Sequence, residues 1–255
     1  MSPPRTAQYH SLAPFRNYFK NGTPILIYHK IGRRPPRTRL KGLYTAPKRF
    51  QTQLAELRRA GFQTPKLMEI IGGQAGGGKI VLSFDDGFRN VFENALAPLA
   101  EHRFRAIQFL VADLIGQRNE WDVPVGEAPE PLMDAAQIRE WVKAGHEIGS
   151  HSLTHPHLTQ LTPAAAKNEI LTSKKKLEDT FGVAIKHFCF PYGDWNERVA
   201  AWVEEAGYAS ACTTNFGLVQ PSSRPYALNR IAVRYPSRSL KTLGHWLARQ
   251  MTRRD

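Results

Sequence analysis

Cysteine is scarce in this chain: its 255 residues include only two, Cys189 and Cys212. Two cysteines cannot build the disulfide framework that stabilises small secreted domains, so that class of protein is excluded. Both cysteines stand among apolar residues in the sequence. We therefore predict two buried free thiols in a reducing compartment.

Long hydrophobic runs are missing as well. No stretch of the sequence approaches the roughly 18 apolar residues that a membrane-spanning helix needs, so no such helix is predicted. Residues 1–20 carry basic side chains but lack the apolar segment of a secretory signal. From these two features we expect a cytoplasmic protein.

Acidic side chains are in deficit: 22 Asp and Glu stand against 35 Lys and Arg, a formal net charge of +13. The basic residues concentrate in 30–48, in 174–176 and near the C-terminus. Such clusters are typical of solvated faces, and they also attract anionic membranes and polymers. No zinc finger, RNP-type strand or helix-turn-helix pattern accompanies the charge. We predict no specific nucleic-acid partner and keep peripheral association with an anionic membrane open. A nucleic-acid binder remains an alternative that rests on charge alone.

Strand-like and helix-like patterns alternate along the chain. Short apolar runs predict strands, and apolar residues three or four positions apart predict helices. The predicted strands are 25–28, 80–84, 105–111, 147–149, 187–190, 208–212 and 231–234. The predicted helices are 48–61, 90–101, 135–143, 163–181, 197–206 and 240–251. Repeated strand-then-helix units predict a parallel sheet or barrel in a single α/β domain.

Two short motifs carry ligand-type side chains. Asp85 and Asp86 directly follow the apolar run 80–84, and His151 and His155 stand four residues apart. One carboxylate and two imidazoles form a facial ligand set for a divalent metal, with open positions for water and substrate. The second carboxylate can accept a proton from water. The combination indicates hydrolysis.

The polar residues of these motifs share a position in the predicted fold. His29, Asp85, His151 and Tyr192 each come just after a predicted strand. In a parallel barrel the carboxyl ends of the strands meet at one rim, where the chemistry of such barrels is found. We therefore expect these side chains to lie together.

The motifs of this sequence resemble those of the NodB-homology polysaccharide deacetylases. Residues 83–87, Ser-Phe-Asp-Asp-Gly, resemble the first motif of that family, and residues 151–155, His-Ser-Leu-Thr-His, resemble the second. Residues 190–193, Phe-Pro-Tyr-Gly, resemble the third. The resemblance implies a distorted (β/α) barrel in one domain over 24–238, with an N-terminal extension over 1–23 and a basic C-terminal helix over 239–255.

The family's site residues can be carried over position by position. The resemblance implies that Asp85 is the general base and that Asp86, His151 and His155 bind the metal. It also implies that the backbone N–H of Tyr192 stabilises the oxyanion. Zn²⁺ is the expected cofactor, although Co²⁺, Ni²⁺, Fe²⁺ and Mn²⁺ suit the same ligands.

Two departures from the family pattern shape the rest of the prediction. Cys189 stands where the family has an arginine that contacts the base, and we predict Arg230 as its substitute. The C-terminal Leu-x-x-His motif that supplies the general acid is missing, and His245 lies inside a predicted amphipathic helix. Residues 26–29, Leu-Ile-Tyr-His, fit that motif at the other end of the chain. Because the first and last strands of a closed barrel are neighbours, we predict His29 as the acid, in a circularly permuted motif order. This order is similar to the poly-N-acetylglucosamine deacetylase branch.

The resemblance implies a metal-dependent hydrolase that removes N-acetyl groups from N-acetylated sugars or polysaccharide. Two further functions stay open. One is a deacylase or deformylase of a lipid-linked or nucleotide-linked sugar. The other is a carbohydrate-binding domain without catalytic activity.

Overall fold

The computed structural model describes residues 8–72 and 75–233 of the chain. Its strands are β1 (Ile25–Tyr28), β2 (Lys30–Ile31), β3 (Tyr44–Thr45), β4 (Val81–Phe84), β5 (Ile107–Leu110), β6 (Glu147–Ser150), β7 (His187–Cys189), β8 (Ser210–Phe216) and β9 (Leu228–Ala232). Seven of them close into a parallel barrel in the order β1-β4-β5-β6-β7-β8-β9, and β2 pairs with β3 outside it. The predicted (β/α) barrel is confirmed.

Helices follow the barrel strands and pack on the outside of the barrel. The α-helices within the described residues are α1 (Pro47–Arg59), α2 (Arg89–Glu101), α3 (Ala135–Lys143), α4 (Pro163–Phe181) and α5 (Glu197–Glu205). Short 3-10 turns complete the connections at Tyr18–Asn21, Lys41–Leu43, Leu67–Ile70, Ala112–Leu114, Glu120–Val125, Leu158–Gln160, Pro191–Gly193 and Pro225–Ala227. Helix α1 buries Phe50, Leu54 and Leu57, the apolar side chains whose spacing predicted it.

Side-chain caps set the ends of two helices where the sequence predicts them. The Asp134 carboxylate accepts a hydrogen bond from the backbone N–H of Gln137, and the Gln137 side chain accepts one from the backbone of Asp134. Thr162 caps α4, with Pro163 in its first turn, and Gly182 ends it at φ 65°. Ser, Thr and Asp at the N-cap and Gly after the C-terminus satisfy backbone groups that a helix end leaves unpaired.

The barrel closes between the first and last strands. Leu26 of β1 pairs with Ile231 of β9, and Ile27 pairs with Ala232. Strand β9 begins at Leu228, three residues before the predicted strand 231–234. The sequence did not predict this earlier start because Asn229 and Arg230 interrupt the apolar pattern that marks a strand. Strand β8 likewise runs on through polar residues to Phe216.

The segment before β1 packs into the core. Tyr9, Leu12, Phe15 and Phe19 are buried, and the rings of Tyr9 and Phe15 lie 5.3 Å apart. The backbone N–H of Tyr9 also donates to the carbonyl of Ala232, at 2.9 Å. These residues belong to the segment 1–23, for which we predicted an N-terminal extension.

Two further sequence predictions concern the C-terminal helix and membrane-spanning helices. The predicted helix 240–251, with His245, lies outside the described residues. Among the residues that the structure does describe, no helix combines the length and the apolar character needed to cross a membrane.

Candidate active site

One cavity at the carboxyl end of the barrel gathers the predicted site residues. Its volume is about 670 Å³. Six of the seven predicted residues line it: His29, Asp85, Asp86, His151, His155 and Tyr192. The seventh, Arg230, is fully buried within β9 and contacts Asp85. The barrel therefore brings together side chains that lie up to 163 positions apart in the sequence, from His29 to Tyr192.

Asp86, His151 and His155 converge on one point. The Oδ1 atom of Asp86 lies 3.3 Å from Nε2 of His151 and 3.4 Å from Nε2 of His155. Ligand atoms about 2.0–2.1 Å from a tetrahedral zinc ion lie roughly 3.3 Å from one another. These three side chains thus match the spacing of a zinc site, with at least one coordination position left open.

The hydrogen bond on the far side of His151 supports a cation between the three side chains. Its Nδ1 lies 2.7 Å from the carbonyl oxygen of Cys189. A carbonyl only accepts, so Nδ1 carries a proton. Burial lowers the pKa of His151, but Cys189 and the hydrogen bond to Asp86 outweigh that effect and raise the pKa well above its ordinary value, so without a metal Nε2 is protonated as well and donates to Asp86. A divalent cation would take the place of that proton between Nε2 and Oδ1.

The pKa shifts of Asp86 and His155 suit a metal site. Burial raises the pKa of Asp86, but the hydrogen bonds and charges of the two imidazoles outweigh it, and the pKa lies well below its ordinary value. Burial lowers the pKa of His155, against the pull of Asp86. A metal requires an ionised carboxylate and neutral imidazoles, and both trends favour those forms.

Backbone strain concentrates at this site. Apart from glycines, five described residues have positive φ, and four of them belong to the site or adjoin it: Asp86 (75°), Ser152 (68°), His155 (69°) and Tyr192 (59°). Such conformations cost energy in residues with a side chain, and they persist where the surrounding structure fixes them. Here they aim ligand side chains into the cavity.

Asp85 faces an arginine. The guanidinium of Arg230 donates two hydrogen bonds to the carboxylate, each 2.8 Å long, and its Nε donates to the carbonyl of Thr213. Burial raises the pKa of Asp85, but Arg230, with smaller contributions from His151 and His29, lowers it below its ordinary value. Asp85 is therefore held ionised and in one orientation.

His29 lies on the open side of Asp85. Its Nε2 is 3.9 Å from Oδ2 of Asp85, and its side chain is partly exposed to the cavity. Burial lowers the pKa of His29, and the charges of Asp86 and Asp85 oppose that effect. The ring can therefore exchange a proton between the cavity and a group bound near Asp85.

Cys189 occupies the space between Asp85 and His151. Its Sγ accepts a hydrogen bond from Arg230 at 3.0 Å, and both cysteines are buried free thiols, as predicted. Ligand atoms of Asp85, His151 and Cys189 also lie within 4.8 Å of one another. Burial raises the pKa of this thiol to about 11, and Arg230 already binds Asp85, so the Asp86 set suits a cation better.

Glu169 of α4 fixes the turn that carries His155. Its carboxylate accepts hydrogen bonds from the backbone N–H groups of Leu153 and Thr154, both 2.9 Å long, and from the Thr154 hydroxyl at 2.7 Å. The hydroxyl of Ser152 accepts a further bond from the N–H of His155. Sequence reasoning missed Glu169, although an acid at an otherwise apolar, buried position of a helix is a signal for such a role.

Aromatic rings form the wall of the cavity. Trp121 stacks on His155 with ring centroids 4.4 Å apart, and Tyr192 stacks on His157 at 4.0 Å. Trp121 and Asp122 come from the loop 116–131, which carries no motif in the sequence. Sequence reasoning missed both, as well as His157.

Comparison with known proteins gives the class that this fold and site define. The polysaccharide deacetylase profile matches residues 72–211, more than half of the chain. The chain belongs to the polysaccharide deacetylase family. The predicted family and the predicted enzyme class, a hydrolase of the deacetylase type, are confirmed.

Individual relatives are distant. YxkH of Bacillus subtilis is 27% identical over 215 residues, which cover 82% of this chain and 71% of that protein. A chitooligosaccharide deacetylase of Bradyrhizobium is 30% identical over 142 residues, which cover 54% of this chain and 57% of that enzyme.

A solved structure extends the likeness in fold. The Streptococcus pyogenes deacetylase PplD, determined in complex with acetate, superposes with a TM-score of 0.73 at 23% identity. The superposition covers 88% of this chain and 97% of PplD. At this identity the likeness concerns the fold.

Proposed function

We propose that this protein is a metal-dependent deacetylase that removes N-acetyl groups from N-acetylated sugars or polysaccharide. One observation carries the proposal: two adjacent carboxylates lie in one cavity and have different partners. Asp86 faces two imidazoles in zinc-site spacing, whereas Asp85 faces Arg230 and His29. The names of the relatives, among them a chitooligosaccharide deacetylase, support the substrate class.

Asp86, His151 and His155 would hold the divalent cation. When bound, such a cation acts as a Lewis acid that polarises the acetyl carbonyl and makes water more acidic. Two imidazoles and one carboxylate suit Zn²⁺, and also Co²⁺, Ni²⁺, Fe²⁺ or Mn²⁺.

Asp85 acts in this proposal as the general base. Its carboxylate takes the proton of the attacking water, and Arg230 keeps it ionised until that step. Arg230 is thus a positioning residue, since it acts through Asp85.

His29 supplies the proton for the leaving nitrogen. It lies across from Asp85 on the same cavity and is partly exposed there. The backbone N–H of Tyr192 would stabilise the negative oxygen that develops on the acetyl carbon during attack. The balanced reaction consumes one water and yields acetate and a free amine on the sugar.

The proposal is tested with metal-stripped protein and N-acetylglucosamine oligomers. Acetate release is measured before and after addition of Zn²⁺, Co²⁺, Ni²⁺, Fe²⁺ or Mn²⁺. We expect release to require the added metal. A protein that binds the oligomers and releases no acetate with any of the five metals would support the non-catalytic alternative instead.

Exposed cations near the cavity favour a second candidate substrate. Arg33, Arg37 and Lys41 are exposed on the connection that continues into Gly42 and Leu43 at the cavity wall. A lipid-linked or nucleotide-linked sugar carries phosphate that these side chains could bind, and the same charges would favour an anionic membrane surface. Acetate or formate release from such sugars, compared with release from neutral oligomers at rising salt, separates the two candidates.

A further inference from the structure

A third carboxylate, that of Asp122, lines the cavity beside the two motif aspartates. It belongs to the loop 116–131 and is 5% exposed. Burial raises the pKa of Tyr192 to about 12, and the negative charges of Asp122 and Asp86 add to that rise. Asp122 therefore faces the same space as Tyr192 and Asp86, on the wall of the cavity.

The structure holds the Asp122 carboxylate in place. Asn119, which is fully buried, donates a hydrogen bond from Nδ2 to Oδ2 of Asp122 at 2.7 Å. The other end of the same amide accepts from the backbone N–H of Glu130. Glu127 in turn binds the backbone N–H groups of Arg39 and Leu40. The loop is thus tied both to itself and to the connection 32–43, and Asp122 does not depend on a freely moving segment.

The charge of Asp122 lacks the compensation that the other two aspartates have. Arg230 pairs with Asp85, and two imidazoles face Asp86. Among the described residues, no cation lies within ion-pair distance of Asp122, and Asn119 is its side-chain hydrogen-bond partner. Lys30 is the cation that acts on it, but the Lys30 ammonium is bound to Glu130 at 3.4 Å.

The chemistry of a buried carboxylate indicates what kind of group it binds. Burial raises the pKa of Asp122, so the ionised form is costly without a cation of its own. A neutral amide would accept a hydrogen bond from a sugar hydroxyl without that cost. A carboxylate is the better choice when the bound group is a cation, because it forms a charge-assisted hydrogen bond.

We propose that Asp122 binds the ammonium group of an unacetylated amino sugar adjacent to the unit that reacts. The proposal rests on the proposed deacetylase function and adds to it a substrate preference, for chains that already carry free amines. At about 670 Å³ the cavity has room for more than the reacting acetamido group. Asp122 is then a specificity-determining residue, and the reaction at Asp85 and Asp86 proceeds without it.

The test compares three trisaccharides in β-1,4 and β-1,6 linkage. The first has three N-acetylglucosamine units, the second has one neighbouring unit as glucosamine, and the third has that unit as glucose, which lacks both the acetyl group and the charge. For the wild-type protein we expect kcat/KM to be highest for the glucosamine-containing trisaccharide, by roughly tenfold to a hundredfold and mainly through KM. The glucose-containing trisaccharide should show no such gain.

Asp122→Asn keeps the shape of the side chain and removes its charge. It should abolish the preference, so that kcat/KM becomes about equal for the glucosamine-containing and the fully acetylated trisaccharide. Glu120→Gln is the matched control. Glu120 is exposed two residues earlier in the same turn, and its substitution makes the same charge change outside the cavity, so the preference should persist.

Three results would overturn the proposal. They are no preference in the wild-type protein, a preference that survives Asp122→Asn, or an equal gain from glucose. Failure of the deacetylase function is a separate result, because it would appear as no acetate release from any trisaccharide. In that case calorimetric binding of a glucosamine disaccharide to wild type and to Asp122→Asn still decides the inference. Equal affinities would contradict it.

Discussion

The two ends of the barrel both bury histidines, and they use them differently. At the carboxyl end, His151 and His155 face Asp86, and strained backbone aims them into a cavity. As with Nδ1 of His155, one ring nitrogen in each of two histidines at the amino end, His146 and His187, lacks a hydrogen-bond partner among the described residues, so the contrast lies in the charges around each ring. Burial, with lesser effects of Arg105 and Lys186, lowers the pKa of each of these two to about 4. At one end the histidines belong to a group that could hold a metal ion, and at the other they are neutral packing residues.

The neighbours of each histidine explain the difference. Next to His151 stand a carboxylate and a backbone carbonyl, which together fix the ring and add negative charge. Next to His146 stands the ring of Trp141 at 4.3 Å, and next to His187 the hydroxyl of Ser210 at 2.9 Å. In parallel barrels the carboxyl end usually carries the chemistry, and the amino end contributes to stability. The contacts of these histidines agree with that rule.

The largest effect is expected when one histidine is substituted at each end of the barrel. His151→Ala removes a ligand and should lose both bound metal and acetate release, down to background. His187→Ala should keep both and lower the free energy of unfolding instead. Metal content, acetate release and urea unfolding are measured on each variant. Loss of metal from His187→Ala would break the comparison.

The second effect concerns the division of labour between the adjacent aspartates. Asp85→Asn should lower kcat by about 10²–10⁴-fold, since it removes the general base, while metal content stays at the wild-type level. Asp86→Asn should lose the metal. An Asp85→Asn enzyme with wild-type turnover would remove Asp85 from the mechanism.

A smaller effect is expected from the support of the metal ligands. Glu169→Ala removes three hydrogen bonds from the turn 152–155, so the affinity for Zn²⁺ should fall by about 10–100-fold. Competition with a zinc chelator measures this affinity. As control, Glu178→Ala changes an acid on the same helix that binds Lys174 and the backbone of Ile185, away from the turn, and should leave the affinity unchanged.

A further effect is a pH dependence of stability that comes from the amino end. In the unfolded chain, His146 and His187 bind protons below about pH 6.5, whereas in the folded protein they do so only near pH 4. Their contribution is therefore complete above pH 6.5 and declines as the pH falls towards 4, by up to about 3 kcal/mol for each histidine. Urea unfolding across this range measures it. The decline should be shallower in His187→Gln, and an unchanged pH profile in that variant would contradict the assignment.

The sequence was informative wherever the chemistry sits in a short local motif. Asp85, Asp86, His151 and His155 lie in two pentapeptides, and their strand-end positions follow from the alternating pattern. His29 required one tertiary argument, that the first and last strands are neighbours, and the pairing of β1 with β9 confirms that part of it. The catalytic roles of these residues remain predictions.

The parts that could not be predicted depend on contacts between distant segments. Nothing local marks Trp121 or Asp122, because their place in the cavity is set by hydrogen bonds from the loop 116–131 to the connection 32–43. The early start of β9 was missed because Arg230 interrupts an apolar pattern, although the barrel satisfies its charge with Asp85. Polar residues that face a partner inside the barrel look like loop residues in the sequence.

One titration tests the central claim most directly. Metal-stripped protein is titrated with Zn²⁺ while bound metal and acetate release from N-acetylglucosamine oligomers are followed in the same samples, for wild type and for His155→Ala. We predict that wild-type activity rises in proportion to bound zinc and reaches its plateau at one equivalent, and that His155→Ala shows neither tight binding nor activity. Full activity without metal, or an unchanged titration in His155→Ala, would contradict the assignment of Asp86, His151 and His155 as the metal site.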